Sequence, residues 1–334
     1  MGHQLEFWQF IHRRLQKDEA LILLVVAQSS GSSPGRAGYK MAIASDGEIS
    51  GSIGGGVMEV NLVERARSMF SESDAKATAN FSTFMVEQVH QRNADNPSGM
   101  ICSGRQTVMC VCLSSRDLAT VETLVERLQK HDPVVFEISN LRFQIVENAE
   151  NTLRHYFSKS SDNEFSYQEK LGPENELVII GGGHCALALS ELMSRLDFRI
   201  SIFDDRPDLN TIAKNEFADE VTIVDRYENI TDHVASGENT YVSVMTLGYN
   251  SDAVVIRRLA DHDFKYFGVL GSKAKMATLM RELRAEGLSE QRLSRIRTPI
   301  GLPIHSQTPE EIAISIAAEI ISVKNAEPSL TNGQ

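Results

Sequence analysis

The stretch "VIIGGGHCALAL", Val178 to Leu189, decides the fold. Four branched apolar residues end at three glycines, and small and apolar residues at helical spacing follow, which reads as a buried strand turning sharply into a helix. Gly181-x-Gly183-x-x-Ala186 fits the pattern in which the first glycine permits the tight turn and the second lets a pyrophosphate approach the backbone. The small third residue then lets helix and strand pack closely. A second apolar run, "FRISIF", ends at Asp204-Asp205-Arg206 and completes a strand, helix, strand unit.

Working outward toward the C-terminus, further strands are predicted at 221–224, 241–246 and 266–270, alternating with helical segments as a parallel sheet requires. Thr308-Pro309-Glu310-Glu311 is a capping box with proline at the first helical position, opening a last helix. The C-terminal half is thus a Rossmann-like, doubly wound parallel sheet. Asp204, at the end of the second strand, is placed to accept from a ribose hydroxyl and to repel a 2′-phosphate, which favours NAD over NADP. Arg206, two residues on, opposes that preference. His184 and Cys185 fall in the first turn of the helix, either as ligand contacts or as helix-start fillers.

Toward the N-terminus the pattern changes. Leu5 to Lys17 carries a helical stripe, "LILLVVAQ" reads as a buried strand, and "YKMAIASDGEISGSI" reads as a hairpin around Asp46-Gly47. A helix is predicted at 57–70, strands at 81–90 and 107–113, a helix at 117–130, and two closing strands in "PVVFEI" and "LRFQIVE". Residues 1–157 are therefore a mixed α+β domain. The polar stretch 158–175, which contains Gly-Pro, is assigned as a linker, and 176–326 as the Rossmann-like domain.

In the N-terminal domain Gly54-Gly55-Gly56 joins strand to helix. Either it is a turn that needs positive φ, or it points N–H groups at a helix start toward an anion or a pterin-like edge. Arg36 and Lys40 lie on the nearby loop and strand, as a counter-charge or as solvated surface cations. Cys102 sits in a Ser/Gly turn close to Arg105, a setting that lowers a thiolate pKa. Cys110 and Cys112 alternate on a strand and read as core residues, since no further Cys/His spacing completes a metal site.

Composition sets outer bounds. The 334 residues carry 33 Lys and Arg against 45 Asp and Glu, a formal net charge of −12, with no basic block to neutralise a nucleic-acid backbone. No apolar run approaches the 18 residues of a membrane span. Four cysteines in so long a chain do not make a disulfide framework, and a cytoplasmic location is expected.

"SSGSSPGRAGYKMAI" and "DGEISGSIGGGVMEVN" with "MICSGR" resemble the N-terminal half of the XdhC/CoxI family, accessory proteins of molybdenum hydroxylases such as xanthine dehydrogenase. "VIIGGGHCALAL", "FDDRP", "YFGVLGSKAKM" and "PIGLPIHSQTPEEIAISIAAEI" resemble its C-terminal Rossmann-like half. The resemblance implies binding of molybdenum cofactor (molybdopterin) and its protection while a cysteine desulfurase supplies the sulfido ligand. It also implies delivery to a molybdenum hydroxylase apoenzyme, and a homodimer. It makes Gly54, Gly55, Gly56 and Cys102 the cofactor-site residues, with Cys102 near the metal. The chain departs from the family pattern at Ser103, which replaces a glycine, at Leu247 and Tyr249, where histidines are usual, and at His305; Asp252 is kept. An NAD-dependent oxidoreductase is the competing reading, and it requires convergent acid/base groups beside the Rossmann turn.

Overall fold

The computed structural model describes residues 2–71, 83–90, 104–147, 153–161 and 164–326. They form two compact units, Gly2–Gly172 and a second from Pro173 onward.

The first unit runs α1 (Gly2–Gln16), β1 (Leu21–Gly31), β2 (Lys40–Ala44), β3 (Ile49–Gly51), α2 (Gly56–Ser71), β4 (Phe84–His90) and β5 (Gly104–Leu113). It continues through α3 (Leu118–Gln129), β6 (Val134–Ser139), β7 (Phe143–Ile145), β8 (His155–Ser161) and β9 (Glu164–Leu171). One antiparallel sheet has the order β3-β2-β1-β5-β4 and the other the order β7-β6-β9-β8. β1 shows no polar alternation because both its faces are covered. Leu21, Leu23 and Val25 share a core with α1, α3 and the second sheet, while Ile22, Leu24 and Val26 pack with Leu62 and Ala66 of α2. Trp8 of α1 is fully buried, edge-on to Phe136 and stacked with Phe143.

The segment assigned as a linker, 158–175, is instead mostly the β8–β9 hairpin, and the unit boundary falls at Gly172/Pro173. The strand signal in "EFSYQEKL" is its period of two: Phe165, Tyr167, Glu169 and Leu171 all point inward. Glu169 masked it, as a carboxylate at a core position. That charge is tolerated because Lys40 Nζ lies 2.5 Å from Oε1 and the Tyr167 hydroxyl donates to Oε2 at 2.9 Å. His155 Nδ1 lies 3.0 Å from the same hydroxyl.

The second unit holds β10 (Asn175–Ile180), α4 (His184–Met193), β11 (Phe198–Asp204), α5 (Asn210–Ala213), β12 (Glu220–Ile223) and β13 (Gly237–Val244). α6 (Tyr249–Leu259), β14 (Phe264–Val269), α7 (Lys273–Ala285), α8 (Glu290–Leu293) and α9 (Pro309–Asn325) follow. The parallel sheet has the order β12-β11-β10-β13-β14, the doubly wound arrangement expected. Val178 and Ile180 pack under α6 and α7, Leu177 and Ile179 under α4 and α9. The Thr308–Glu311 capping box of α9 is formed as predicted. No described helix is long and apolar enough to cross a membrane.

Tyr167→Phe removes the hydroxyl that links His155 to Glu169. A loss of about 1–3 kcal/mol in urea unfolding is expected, the cost of leaving buried polar groups unpaired.

Candidate functional site

In the second unit strand order reverses between β10 and β13, and the loops leaving these two strands bound the crevice where doubly wound sheets hold ligands. Gly181 has φ +108°, and a Cβ there would lie 2.3 Å from the Met245 carbonyl oxygen, so the two loops touch backbone to backbone. Gly183 is the N-cap of α4 with no side-chain cap, and a Cβ on it would meet nothing within 4 Å. It is the open side of the turn. Ala186 is buried between α4 and the sheet.

Asp204 is fully buried and its carboxylate is committed. Oδ1 accepts from Arg206 N at 2.8 Å and Nε at 2.9 Å, and Oδ2 accepts from Gly182 N at 2.6 Å and Arg206 Nη2 at 2.8 Å. Burial raises its pKa, but the bonds from Arg206 and Gly182 outweigh burial and hold it below the ordinary value of 3.8. A ribose hydroxyl thus competes with four formed bonds, and a 2′-phosphate is repelled less than expected, because the Asp204 charge is offset by the Arg206 guanidinium.

Across the crevice Thr246 Oγ1 donates to Asp252 Oδ1 at 2.6 Å, and Lys275 Nζ donates to Oδ2 at 3.0 Å. Desolvation raises the pKa of Asp252, although the Thr246 and Lys275 bonds pull the other way. The side chain is 1% exposed. Sequence reading kept Asp252 but missed Lys275; the signal is Ser272, whose side chain caps α7 and sets Lys275 in the first turn. Leu247, where the family pattern has a histidine, is 81% exposed, and the Tyr249 hydroxyl bonds Glu282. His184 is exposed, and burial raises the thiol pKa of Cys185.

In the first unit three motif segments meet. A Cβ on Gly54 (φ +120°) would lie 2.4 Å from Gly35 N, and one on Gly104 would lie 2.4 Å from Ser33 N. Gln106, 1% exposed, ties the junction by accepting from Ser33 Oγ at 2.9 Å and Gly35 N at 3.2 Å. Its amide donates to Gln88 Oε1 at 2.8 Å, and Gln88 donates to the Met58 carbonyl of α2 at 3.0 Å. Gln106 carried no motif and escaped sequence reading.

Gly55 (φ +76°) faces open space. Its N–H, however, is not offered outward. It donates to Glu59 Oε2 at 3.0 Å, as do Ile53 N at 2.9 Å and Ser52 Oγ at 2.7 Å. Gly54 N donates to Ser52 Oγ at 3.1 Å. The N–H groups of Gly54 and Gly55 are thus taken up within the turn, at Gly55 by a carboxylate that the helix itself supplies, Glu59. Lys40 is likewise spent on Glu169, and Arg36 is exposed with only a 3.5 Å contact to the Gly31 carbonyl. Cys102 and Ser103 lie outside the described residues. Cys110 and Cys112 are core residues as expected, their thiols pushed by burial up to about 12 and about 11. No cluster of three or more potential metal ligands occurs among the described residues.

Residues 177–320 match the model of the XdhC Rossmann domain and residues 14–81 that of the XdhC and CoxI family, together well over half of the chain. The chain belongs to the XdhC/CoxI family. Among curated relatives, the uncharacterised protein YqeB of Escherichia coli is 24% identical over 91% of this chain, which spans only 43% of the length of YqeB. A probable xanthine dehydrogenase subunit of Bacillus subtilis is 22% identical, covering 95% of this chain and 97% of that one. A crystal structure described as a xanthine dehydrogenase from Bacillus halodurans superposes with a TM-score of 0.70 at 21% identity, over 98% of each chain. That likeness establishes a shared fold.

Two experiments check the geometry. Gly181→Ala is expected to unfold at lower urea concentration than Gly183→Ala, because only the first places a methyl against backbone at positive φ. Arg206→Ala is expected to cost about 3 kcal/mol at neutral pH by stripping the main partner from a buried carboxylate. Since the native pKa of Asp204 is depressed, that stabilisation is full above 3.8 and is lost as the pH falls through the native value. The gap between variant and parent should therefore close on acidification.

Proposed function

We propose that this XdhC/CoxI protein is a maturation factor for a molybdenum hydroxylase of the xanthine dehydrogenase type. In this reading it holds molybdenum cofactor, keeps it while a cysteine desulfurase provides the sulfido ligand, and passes it to the apoenzyme. The observation that carries the proposal is the junction of Ser33–Gly35, Gly54–Gly55 and Gly104–Gln106. Three segments of the family motif, distant in sequence, are held against one another through backbone and one buried glutamine. A junction fixed this tightly positions the open face at Gly55.

The residues present fit a pterin better than an anion. Gly55 leaves room for a flat ring, and Glu59, anchored by three donors on Oε2, keeps Oε1 for the N–H groups of a pterin edge. Bound cofactor would supply the molybdenum centre that the client needs. The chain's own part is to orient the ring through Gly55 and Glu59 and, as the family resemblance implies, to offer the Cys102 thiolate as a soft ligand. No turnover by this chain is needed.

The C-terminal crevice is proposed to take an adenine dinucleotide such as NAD, its pyrophosphate at Gly183 and the start of α4. Arg206 replaces Asp204 as the group that faces the ribose. Asp252 and Lys275 are a carboxyl and an ammonium beside the glycine turn, the observation that favours NAD-dependent oxidoreduction as the second reading.

Protein purified from a molybdenum-replete host tests the main proposal, with bound molybdenum measured by mass spectrometry and pterin by fluorescence after oxidation. Wild type should carry both, Gly55→Val should carry neither, and Cys102→Ser should retain less metal, with circular dichroism showing intact folds. Full retention by both variants would sink the proposal. For the crevice, calorimetric titration with NAD and NADP should give binding that Gly183→Val abolishes. Light scattering should show a dimer.

A further inference from the structure

Beside the amino end of β14, the end of the strand away from the glycine turn, lies a cavity of about 420 Å³. Its position is fixed by the loop after α6, where Gly237 N donates to the Asp263 carbonyl and starts the two strands together. The ionisable side chains lining it are His262, Lys265, Arg292, Arg295 and Arg297, with no carboxylate among them. Asp261, Asp263 and Glu319, outside the lining, pair with the three arginines, which leaves Lys265 as the cation without a carboxylate partner among the described residues.

The cations differ in how firmly they are held. Arg297 is fixed, bonding Glu319 at 3.3 Å and lying over the Tyr266 ring at 5.8 Å. Glu319 is buried and also accepts from the Tyr266 hydroxyl at 2.6 Å and from Gly301 N at 2.8 Å, so this guanidinium is part of the frame. Arg292 and Arg295 instead pair with Asp261 and Asp263, whose side chains are 61% and 82% exposed. Exposed pairs contribute little to stability, so both guanidinia can turn to a ligand at small cost. Lys265 is exposed and has no ion-pair partner among the described residues. The Nδ1 of His262 is buried with no hydrogen-bond partner among them, and its ring stacks on Phe264 with centroids 5.7 Å apart.

We propose that this cavity is a second small-molecule site, taking a phosphate-bearing compound with a planar ring, of mononucleotide size. The volume falls in the range of small-ligand pockets. Arg292, Arg295 and Lys265 meet the phosphate, the guanidinia in the two-pronged geometry that phosphate oxygens accept. The His262–Phe264 stack offers an aromatic surface. The site is independent of the molybdenum cofactor reading and of the crevice at the other end of the sheet.

Calorimetric titration of the full chain with AMP and with inorganic phosphate at low salt tests it. AMP should bind more tightly than phosphate, and physiological salt should weaken both, since the cations are solvent-facing. Lys265→Glu and Arg295→Glu should each weaken AMP about tenfold, roughly one charge-assisted hydrogen bond. Arg199→Glu makes the same charge change on β11, three strand spacings from β14, and should bind AMP as the parent does. Absence of heat from both probes would overturn the proposal, as would parental affinity in Lys265→Glu and Arg295→Glu. Equal weakening by Arg199→Glu would reduce it to general electrostatics, and equal affinity for AMP and phosphate would remove the ring.

Discussion

Backbone pressed on backbone is the contact on which both halves of this protein depend. At Gly181 the turn after β10 lies against the carbonyl of Met245, and at Gly54 the turn before α2 lies against Gly35. In each place a methyl group would fall well inside van der Waals contact. The neighbouring loops therefore cannot be held apart by side chains; they are joined directly, and the polar groups around them must find partners in one another. That is why Gln106 accepts twice from the Ser33–Gly35 loop and why Asp204 reaches back to Gly182 N.

The carboxylates near these junctions follow one physical logic. Asp204, Asp252 and Glu169 are all nearly or fully buried, and each is paired with a cation that is less deeply placed or shared with backbone: Arg206, Lys275 and Lys40. At Asp204 and Asp252 burial pushes the pKa up. Hydrogen bonds to the charged form decide the outcome differently at two of them, since Asp204 has four donors and is held ionised, whereas Asp252 has fewer and is raised. Electrostatic character at the crevice thus comes from donor count more than from depth.

Much of the fold was legible because its signals are local. Periodicity marked β10, α4 and β11, the glycines marked the turn, and Thr308 with Glu311 marked the start of α9. The β8–β9 hairpin was hidden because one inward position is filled by Glu169, whose partner Lys40 stands 129 residues earlier. The site was half legible for the same reason. Glycine spacing is visible in a single stretch, but the use of Glu59 to close the N–H groups of Ile53 and Gly55, the clamp by Gln106 and the pairing of Lys275 with Asp252 exist only after folding. Asp204 was legible at the end of β11, but its pairing with Arg206 was not, because Arg206 lies so close in sequence that its guanidinium was weighed as a nearby charge and not as a two-pronged donor.

The double duty of Asp204 has an evolutionary consequence. One carboxylate both pins the glycine turn, through Gly182 N, and aims Arg206. Any exchange at position 204 disturbs the turn and the guanidinium at once, so drift there is penalised through folding before binding is even sampled. Position 206 is different: its side chain is 31% exposed, and changing it leaves the Gly182 bond in place. Position 206 can therefore change the charge at the mouth of the turn without loosening the turn itself, a freedom that position 204 lacks.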